Sequence, residues 1–211
     1  MEKIEKLKKI LKKKGLDGYI IPKNDEFFGE YIPDYNDRLN FITNFSGSYG
    51  FALILKNQNY LFVDGRYTLQ ANNQSGKYFK IITIPDKMPG DILKDKKILI
   101  GFDPNLFTKK TLSNFFRNTE CKFKPLDKNL IDEIWKRKIQ TNKSKFFIMP
   151  DRSVSEKYQY KIKKITNYLK RKKSDYLLIT ASENNAWLLN IRGRDTKYSP
   201  IPYSYILIDK N

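Results

Sequence analysis

The stretch Asp64-Gly65-Arg66-Tyr67 places an acidic and a basic side chain on either side of a glycine. A predicted strand precedes it and a predicted helix follows, so Arg66 stands where the helix begins. A guanidinium in that position can hold a carboxylate through two parallel hydrogen bonds. Alternatively, the stretch is a helix cap, in which Asp64 accepts amide hydrogen bonds and Arg66 is solvated. The residues alone favour neither interpretation.

Two other glycine-containing turns invite similar questions. Arg192-Gly193-Arg194-Asp195 has the same residue types, and there we predict a surface turn. Ser46-Gly47-Ser48-Tyr49-Gly50 is rich in glycine but lacks the lysine of a phosphate-binding loop, and it leads into a strand instead of a helix. We therefore predict a tight turn at this second stretch.

Histidine and cysteine usage removes several classes of site. The chain contains no histidine, which excludes histidine-based triads, HExxH zinc sites and histidine general bases within it. Cys121 is the only cysteine, so neither an intrachain disulfide nor a metal site with several thiolates can form. Asp25, Glu26 and Glu30 are close enough in sequence to bind a cation together, but we predict a solvated turn.

The formal charge of +18 would ordinarily suggest nucleic acid or an anionic membrane as a partner. The excess is nearly all lysine and is spread along the chain, together with abundant Asn, Ile, Phe and Tyr, as an AT-biased genome produces. We therefore expect no nucleic acid partner, and we predict that the tyrosines of Lys157-Tyr158-Gln159-Tyr160-Lys161 lie on a buried helix face. No apolar run is long enough to span a membrane, and the charged N-terminus lacks the features of a secretory signal. We predict a soluble, cytoplasmic protein.

Helices and strands alternate along the first part of the chain. Ile4, Leu7, Ile10 and Leu11 recur at helical spacing, and Gly15 ends that helix. Further strands are predicted at 19–22, 51–55, 60–63, 79–84, 98–102 and 121–125, and further helices near 67–73, 89–93 and 109–117. This alternation predicts an α/β domain with a mixed sheet flanked by helices.

The opening elements recur later in the chain. Lys14 to Ile21 corresponds to Lys172 to Ile179, and Leu39 to Gly47 corresponds to Ala186 to Gly193. The same order of helix, aspartate and aliphatic strand then predicts a second unit built on the plan of the first.

The repeat sets the predicted domain boundaries. We expect a first domain at 1–135, a basic linker at 136–152 and part of a second domain at 153–211, opening with a helix at 154–172. A second domain ending there would have an exposed sheet edge and half a core. We therefore expect a complete protein to continue into further sequence.

Seven stretches together resemble the N-terminal region of Xaa-Pro aminopeptidases (aminopeptidase P). The resemblance covers almost the whole chain, in the order and approximate spacing of that metallopeptidase family. The stretches are Tyr19-Ile20-Ile21-Pro22, Asp25-Glu26, Gly29-Glu30-Tyr31, Arg38-Leu39, Thr43-Asn44-Phe45-Ser46-Gly47-Ser48-Tyr49-Gly50, Phe62-Val63-Asp64-Gly65-Arg66-Tyr67 and Ala186-Trp187-Leu188-Leu189-Asn190-Ile191-Arg192-Gly193.

The resemblance implies two creatinase-type N-terminal domains with a ribonuclease H-like fold. In the longer family members a C-terminal pita-bread domain follows and holds two manganese ions. Its ligands, two aspartates, a histidine and two glutamates, have no counterpart in this chain, so the resemblance implies no metal site and no catalytic residue here.

The resemblance also bears on the candidate site. It implies that Arg66 reaches the substrate site, across a homodimer or within one subunit, with Asp64, Tyr67 and Arg192 as weaker candidates. Where relatives often have histidine after Asp-Glu, this chain has Phe27, which puts a polar role at that position in doubt.

The resulting hypothesis is the non-catalytic N-terminal region of a manganese-dependent Xaa-Pro aminopeptidase. Such an enzyme removes the first residue from peptides with proline in second position, and this region would shape the substrate cleft and the oligomer. A stand-alone basic module that binds nucleic acid or protein is the alternative. A third possibility is a regulatory subunit that docks on a full-length relative.

Overall fold

The computed structural model describes residues 2–137 and 145–211, so part of the predicted linker at 136–152 lies outside the described residues. The described residues form two compact units. The first contains residues 2–26 and 34–137, and the second contains residues 27–33 and 145–211. Segment 27–33 thus belongs to the second unit although the first surrounds it in sequence.

The first unit is built on a six-stranded mixed sheet. Its helices are α1 (Glu2–Lys13), α2 (Arg38–Thr43), α3 (Thr68–Ser75), α4 (Pro89–Leu93), α5 (Lys109–Phe115) and α6 (Leu130–Ile134), and its strands are β1 (Gly18–Pro22), β2 (Gly50–Leu55), β3 (Asn59–Asp64), β4 (Lys80–Ile84), β5 (Leu99–Phe102) and β6 (Lys122–Pro125). The strand order is β4-β3-β2-β1-β5-β6. β2 is antiparallel to β1 and β3, and the other three pairings, β3-β4, β1-β5 and β5-β6, are parallel. The predicted fold class is confirmed.

The two faces of this sheet are buried in separate cores. Successive side chains of a strand point to opposite faces, so Tyr19 and Ile21 pack beneath α1, α2, α3 and α6. Between them, Ile20 points the other way, towards α4 and the aromatic side chains in and after α5. Strands buried on both faces are continuously apolar, as in Gly18–Pro22.

The second unit contains two small antiparallel sheets. Its helices are α7 (Tyr158–Lys172) and α8 (Ser182–Leu189), and its strands are β7 (Phe147–Ile148), β8 (Tyr176–Ile179), β9 (Ile191–Arg192) and β10 (Ile206–Asp209). β10 pairs with β8 and β7 pairs with β9. One core, around Leu169, Leu188 and Ile208, lies between the helices and one face of the β8-β10 pair.

Helix α7 departs from the sequence prediction in two respects. It begins at Tyr158 rather than near Val154, because the backbone is extended at Val154 and Lys157. The prediction that its tyrosines are buried is wrong: Tyr158 and Tyr160 are exposed. The buried residue of that stretch is Lys161, whose Nζ donates to the Trp187 carbonyl at 2.7 Å and the Asn190 side chain at 2.6 Å.

The two units share local geometry at corresponding positions. Helices α1 and α7 both end beside a left-handed residue, Gly15 (φ 66°) and Lys173 (φ 54°). Helices α2 and α8 both end at a left-handed asparagine, Asn44 (φ 63°) and Asn190 (φ 54°). Asparagine adopts this conformation at lower cost than most non-glycine residues.

Strand pairing repeats as well. Asp17 precedes β1 and accepts a 2.6 Å hydrogen bond from Lys56, which follows β2. Asp175 precedes β8 and accepts a 2.6 Å hydrogen bond from Lys210, which follows β10. Both strand pairs are antiparallel and are closed at the same end by the same two residue types. In the described part of the chain, no helix is long and apolar enough to cross a membrane.

Candidate functional site

Asp64 and Arg66 form a charged pair at the end of β3. The Asp64 side chain accepts a hydrogen bond from the Arg66 amide at 2.9 Å and so caps the 3₁₀ turn Gly65–Tyr67. It also accepts a 2.6 Å hydrogen bond from Arg66 Nη2 and a longer one from Nε. The cap considered from the sequence therefore occurs, and Arg66 also pairs with the capping carboxylate. Binding of a ligand carboxylate by Arg66 stays a prediction.

The Arg66 guanidinium has capacity left for a ligand. Its side chain is 74% exposed, and Asp64 receives hydrogen bonds from its Nε and Nη2 groups. Nη1 makes no hydrogen bond to the described residues. The hydrogen bond from Arg66 lowers the pKa of Asp64, and the same bond raises the pKa of Arg66. Both groups are therefore charged near neutral pH, with one guanidinium edge facing solvent.

Tyr67 links this turn to the glycine-rich stretch before β2. Its hydroxyl lies 2.6 Å from the Ser48 hydroxyl, and its ring meets Phe45 edge-on at 5.8 Å between centroids. Ser46 is held from the other side, since its amide donates to the Gln74 side chain at 3.0 Å. The Asp64–Tyr67 stretch and the glycine-rich stretch, which are separate in sequence, are thus brought together.

Close packing explains the glycines of the 46–50 stretch, which bends at Ser48 and Tyr49. A Cβ on Gly47 would lie 2.2 Å from the Phe45 ring, and one on Gly50 would lie 2.7 Å from the Phe62 carbonyl oxygen. The glycines therefore let the backbone approach its neighbours closely, and they position Ser48 beside Tyr67.

Arg192, the weaker candidate, belongs to the second unit. Its Nη1 donates to the Ala186 carbonyl at 3.2 Å and to the Ile191 carbonyl at 2.8 Å. It is half-buried. The side chain thus contacts the last turn of α8, where the Ala186 carbonyl also accepts the Asn190 amide.

The acidic residues of the long loop do not form the predicted solvated turn. Asp25 is fully buried, Glu26 accepts a 2.7 Å hydrogen bond from Arg38, and only Glu30 is exposed. The first two belong to the first unit and Glu30 to the second. Over residues 2–137 and 145–211, no group of three or more carboxylate or cysteine side chains is arranged to hold a metal ion.

Phe27 begins the segment that belongs to the second unit. Its ring stacks on Tyr203 at 4.2 Å and on Tyr205 at 5.3 Å between centroids. The Tyr203 hydroxyl donates to the Tyr31 carbonyl at 3.2 Å. Phe27 therefore packs in an aromatic stack.

Arg38 is the centre of a buried ion network that no sequence pattern predicts. Arg38 is 2% exposed; its Nε and Nη2 donate to Asp132 at 2.9 and 3.0 Å, and Nη2 also donates to Glu26. Arg137 donates to the same aspartate at 2.8 Å. Burial lowers the pKa of Arg38, but the hydrogen bonds to Asp132 and Glu26 outweigh it and raise that pKa overall. Arg38 and Asp132 are 94 residues apart, so no local pattern reveals the pair.

Two family models match the chain. Both are described as Creatinase/Prolidase N-terminal domain, one over residues 3–134 and the other over residues 137–211. The two matched regions follow one another along the chain, in keeping with the repeat seen in the structure.

Curated relatives are Xaa-Pro aminopeptidases. A probable Xaa-Pro aminopeptidase P of Coprinopsis cinerea is 29% identical over 96% of this chain and 34% of its own length. Xaa-Pro aminopeptidase 1 of Dictyostelium discoideum is 30% identical over 99% of this chain and 36% of its own. The chain therefore spans about a third of the length of these relatives.

A solved structure resembles the whole chain. The X-prolyl aminopeptidase of Caenorhabditis elegans, described as a cytosolic enzyme with a di-nuclear active site, superimposes with a TM-score of 0.89. Identity is 29%, and the match covers 100% of this chain and 37% of that one. With one family model covering more than half of its residues, the chain belongs to the creatinase/prolidase N-terminal domain family.

Proposed function

We propose that this chain acts as the non-catalytic N-terminal region of an Xaa-Pro aminopeptidase. The likeness to aminopeptidases along nearly the entire chain, over a third of their length, supports this. The complete protein would release the first residue from peptides with proline in second position. It would work in the cytoplasm, as the C. elegans neighbour is described as cytosolic.

The residues of this chain indicate which part of the complete protein would hold the metal ions. The described part of the chain has no cluster suited to a metal ion, and the chain has no histidine. A pair of manganese ions therefore does not fit these residues, and it would be held elsewhere in the complete protein. The present region would shape the substrate cleft and contribute to a homodimer.

We propose that the exposed guanidinium of Arg66 contacts the peptide substrate. Asp64 orients the side chain through Nε and Nη2, which leaves the Nη1 group available for a peptide carboxylate or carbonyl oxygen. Asp64 and Tyr67 would position this group. Arg192 donates to a carbonyl of α8, so it would contribute to the site only indirectly, by stabilising the second unit.

Kinetics of the complete protein test this role. We expect Arg66→Ala to lower kcat/KM about tenfold to a hundredfold, the range for a lost charge-assisted hydrogen bond, chiefly through KM. Arg66→Lys should restore part of the loss because a single cation remains. The control is Arg171→Ala, which removes an exposed arginine on α7. Unchanged kinetics in Arg66→Ala would remove the residue from the site.

A further inference from the structure

A large cavity lies in the first unit on the α5 side of the sheet. It has a volume of about 620 Å³, within the range of about 300 to 1,000 Å³ typical of small-molecule sites. Its apolar lining comes from β5, β6, α5 and the residues flanking that helix. The lining side chains are Phe102, Phe107, Leu112, Phe116 and Phe123.

The phenylalanines of this cavity are held by their packing. Phe116 packs against Phe123 at 4.7 Å between centroids, and Phe102 meets Phe107 edge-on at 6.1 Å. Phe107 and Phe116 are also part of the core that covers this face of the sheet. The apolar wall is therefore continuous with the core and is preformed.

Two cations stand at the rim of the cavity. Lys109 is the first residue of α5 and Arg117 follows its last turn, and both line the cavity and are exposed. In the part of the chain that the structure describes, neither forms an ion pair with a carboxylate. Thr108, Ser113 and Thr119 also line the cavity; the Thr108 hydroxyl caps α5, and the Thr119 hydroxyl donates to the Phe116 carbonyl. The cavity thus combines an apolar interior with a cationic rim.

We propose that this cavity binds a small monocarboxylate with an apolar tail. The phenylalanine-lined interior would take the tail, since burial of apolar surface is favourable. The Arg117 guanidinium would hold the carboxylate, because its planar donors match the two oxygens. Lys109, at the other end of α5, contributes longer-range attraction. The site shares no residue with Asp64–Tyr67 and is independent of the proposed peptidase role.

Two-dimensional NMR titration of the chain with octanoate and with 1-octanol tests the proposal. We expect octanoate to cause saturable shifts of amides around the cavity, including those of Leu112, Phe116 and Phe123. The neutral alcohol should bind about tenfold more weakly because it lacks the charge-assisted contact. Absence of saturable octanoate shifts there, or equal affinity for the two ligands, would overturn the assignment.

Variants separate the contributions of tail and charge. Arg117→Gln should weaken octanoate binding about tenfold and leave 1-octanol binding unchanged. Lys110→Gln is the matched control, since Lys110 is an exposed cation of α5 outside the cavity lining. Ser113→Trp, at an exposed position of the rim, should fill the cavity and abolish binding of both ligands. Octanoate affinity unchanged in Arg117→Gln, or in a folded Ser113→Trp protein, would contradict the proposal.

Discussion

Arg38 shows how much of this fold depends on contacts that sequence spacing does not reveal. Its charge is buried among Glu26, Asp132 and Arg137, contributed by parts of the chain far apart in sequence. Asp64 and Arg66, two residues apart, were by contrast recognisable as a unit. The residues left two roles open, a helix cap and a clamp for a ligand carboxylate. The structure shows the cap, together with an Asp64–Arg66 ion pair that neither interpretation included.

Removing the Arg38 charge should destabilise the first unit. In Arg38→Met, Asp132 and Glu26 lose their buried partner, and we expect a loss of about 2–3 kcal/mol. This lies below the usual cost of an uncompensated buried charge because both carboxylates are partly exposed. Urea unfolding measures the change, with the exposed Arg171→Met as control. Equal stability of the two variants would show that the network contributes little.

Asp17 makes the stability of the first unit sensitive to acid. The Leu99 amide donates to its carboxylate at 2.9 Å, and this bond, followed by that from Lys56, lowers the pKa of Asp17 below its usual value of 3.8. Folding therefore favours the carboxylate. The resulting stabilisation is present above the unfolded pKa and is lost as the pH falls through the lower folded pKa.

A pH series of unfolding midpoints tests this linkage. We expect Asp17→Asn to have a shallower loss of stability than the unmodified chain between about pH 5 and pH 2. The exposed Asp86→Asn is the charge-matched control and should follow the unmodified chain. Parallel curves for Asp17→Asn and the unmodified chain would exclude a special role for this carboxylate.

At the level of elements, the strands and helices of the first unit were largely predictable. Continuous apolar runs such as Phe51–Leu55 mark strands buried on both faces, and glycine or asparagine marks the helix ends. The prediction for the tyrosines of α7 is wrong because helical spacing alone does not say which face is covered. Lys161 is buried there because carbonyl and amide oxygens satisfy its ammonium group.

Corresponding strand positions in the two units differ in burial. Ile20 of β1 pairs across the sheet with Leu53, and both are buried beneath α4 and α5. Leu178 of β8 pairs with Leu207 in the corresponding register, and these side chains are 61% and 65% exposed. The same sheet face is thus covered in one unit and open in the other.

Paired truncations should reveal this inequality. Ile20→Ala should cost about 2–5 kcal/mol because it leaves a cavity in a packed core. Leu178→Ala, at the corresponding exposed position, should change stability by less than about 0.5 kcal/mol. Hydrogen exchange, which resolves the stability of each unit, is the measurement. A similar cost at both positions would mean that the second face is covered in solution.

At the scale of the whole molecule, the chain spans about a third of the length of its relatives. This coverage and the exposed sheet face at Leu178 and Leu207 agree with our proposal of a larger protein. The domain limits 1–135 and 153–211 remain proposals. The resemblance predicted the family correctly because its motifs lie in continuous segments, whereas the partition of segment 27–33 depends on tertiary contacts.

The most direct test of the central claim is release of the first residue from a peptide with proline in second position. Turnover would be followed with manganese for the 211-residue chain alone and for the longer protein to which we propose it belongs. We predict no chelator-sensitive turnover by the chain alone and clear turnover by the longer protein. Chelator-sensitive cleavage by the chain alone, or no cleavage by the longer protein, would contradict the account.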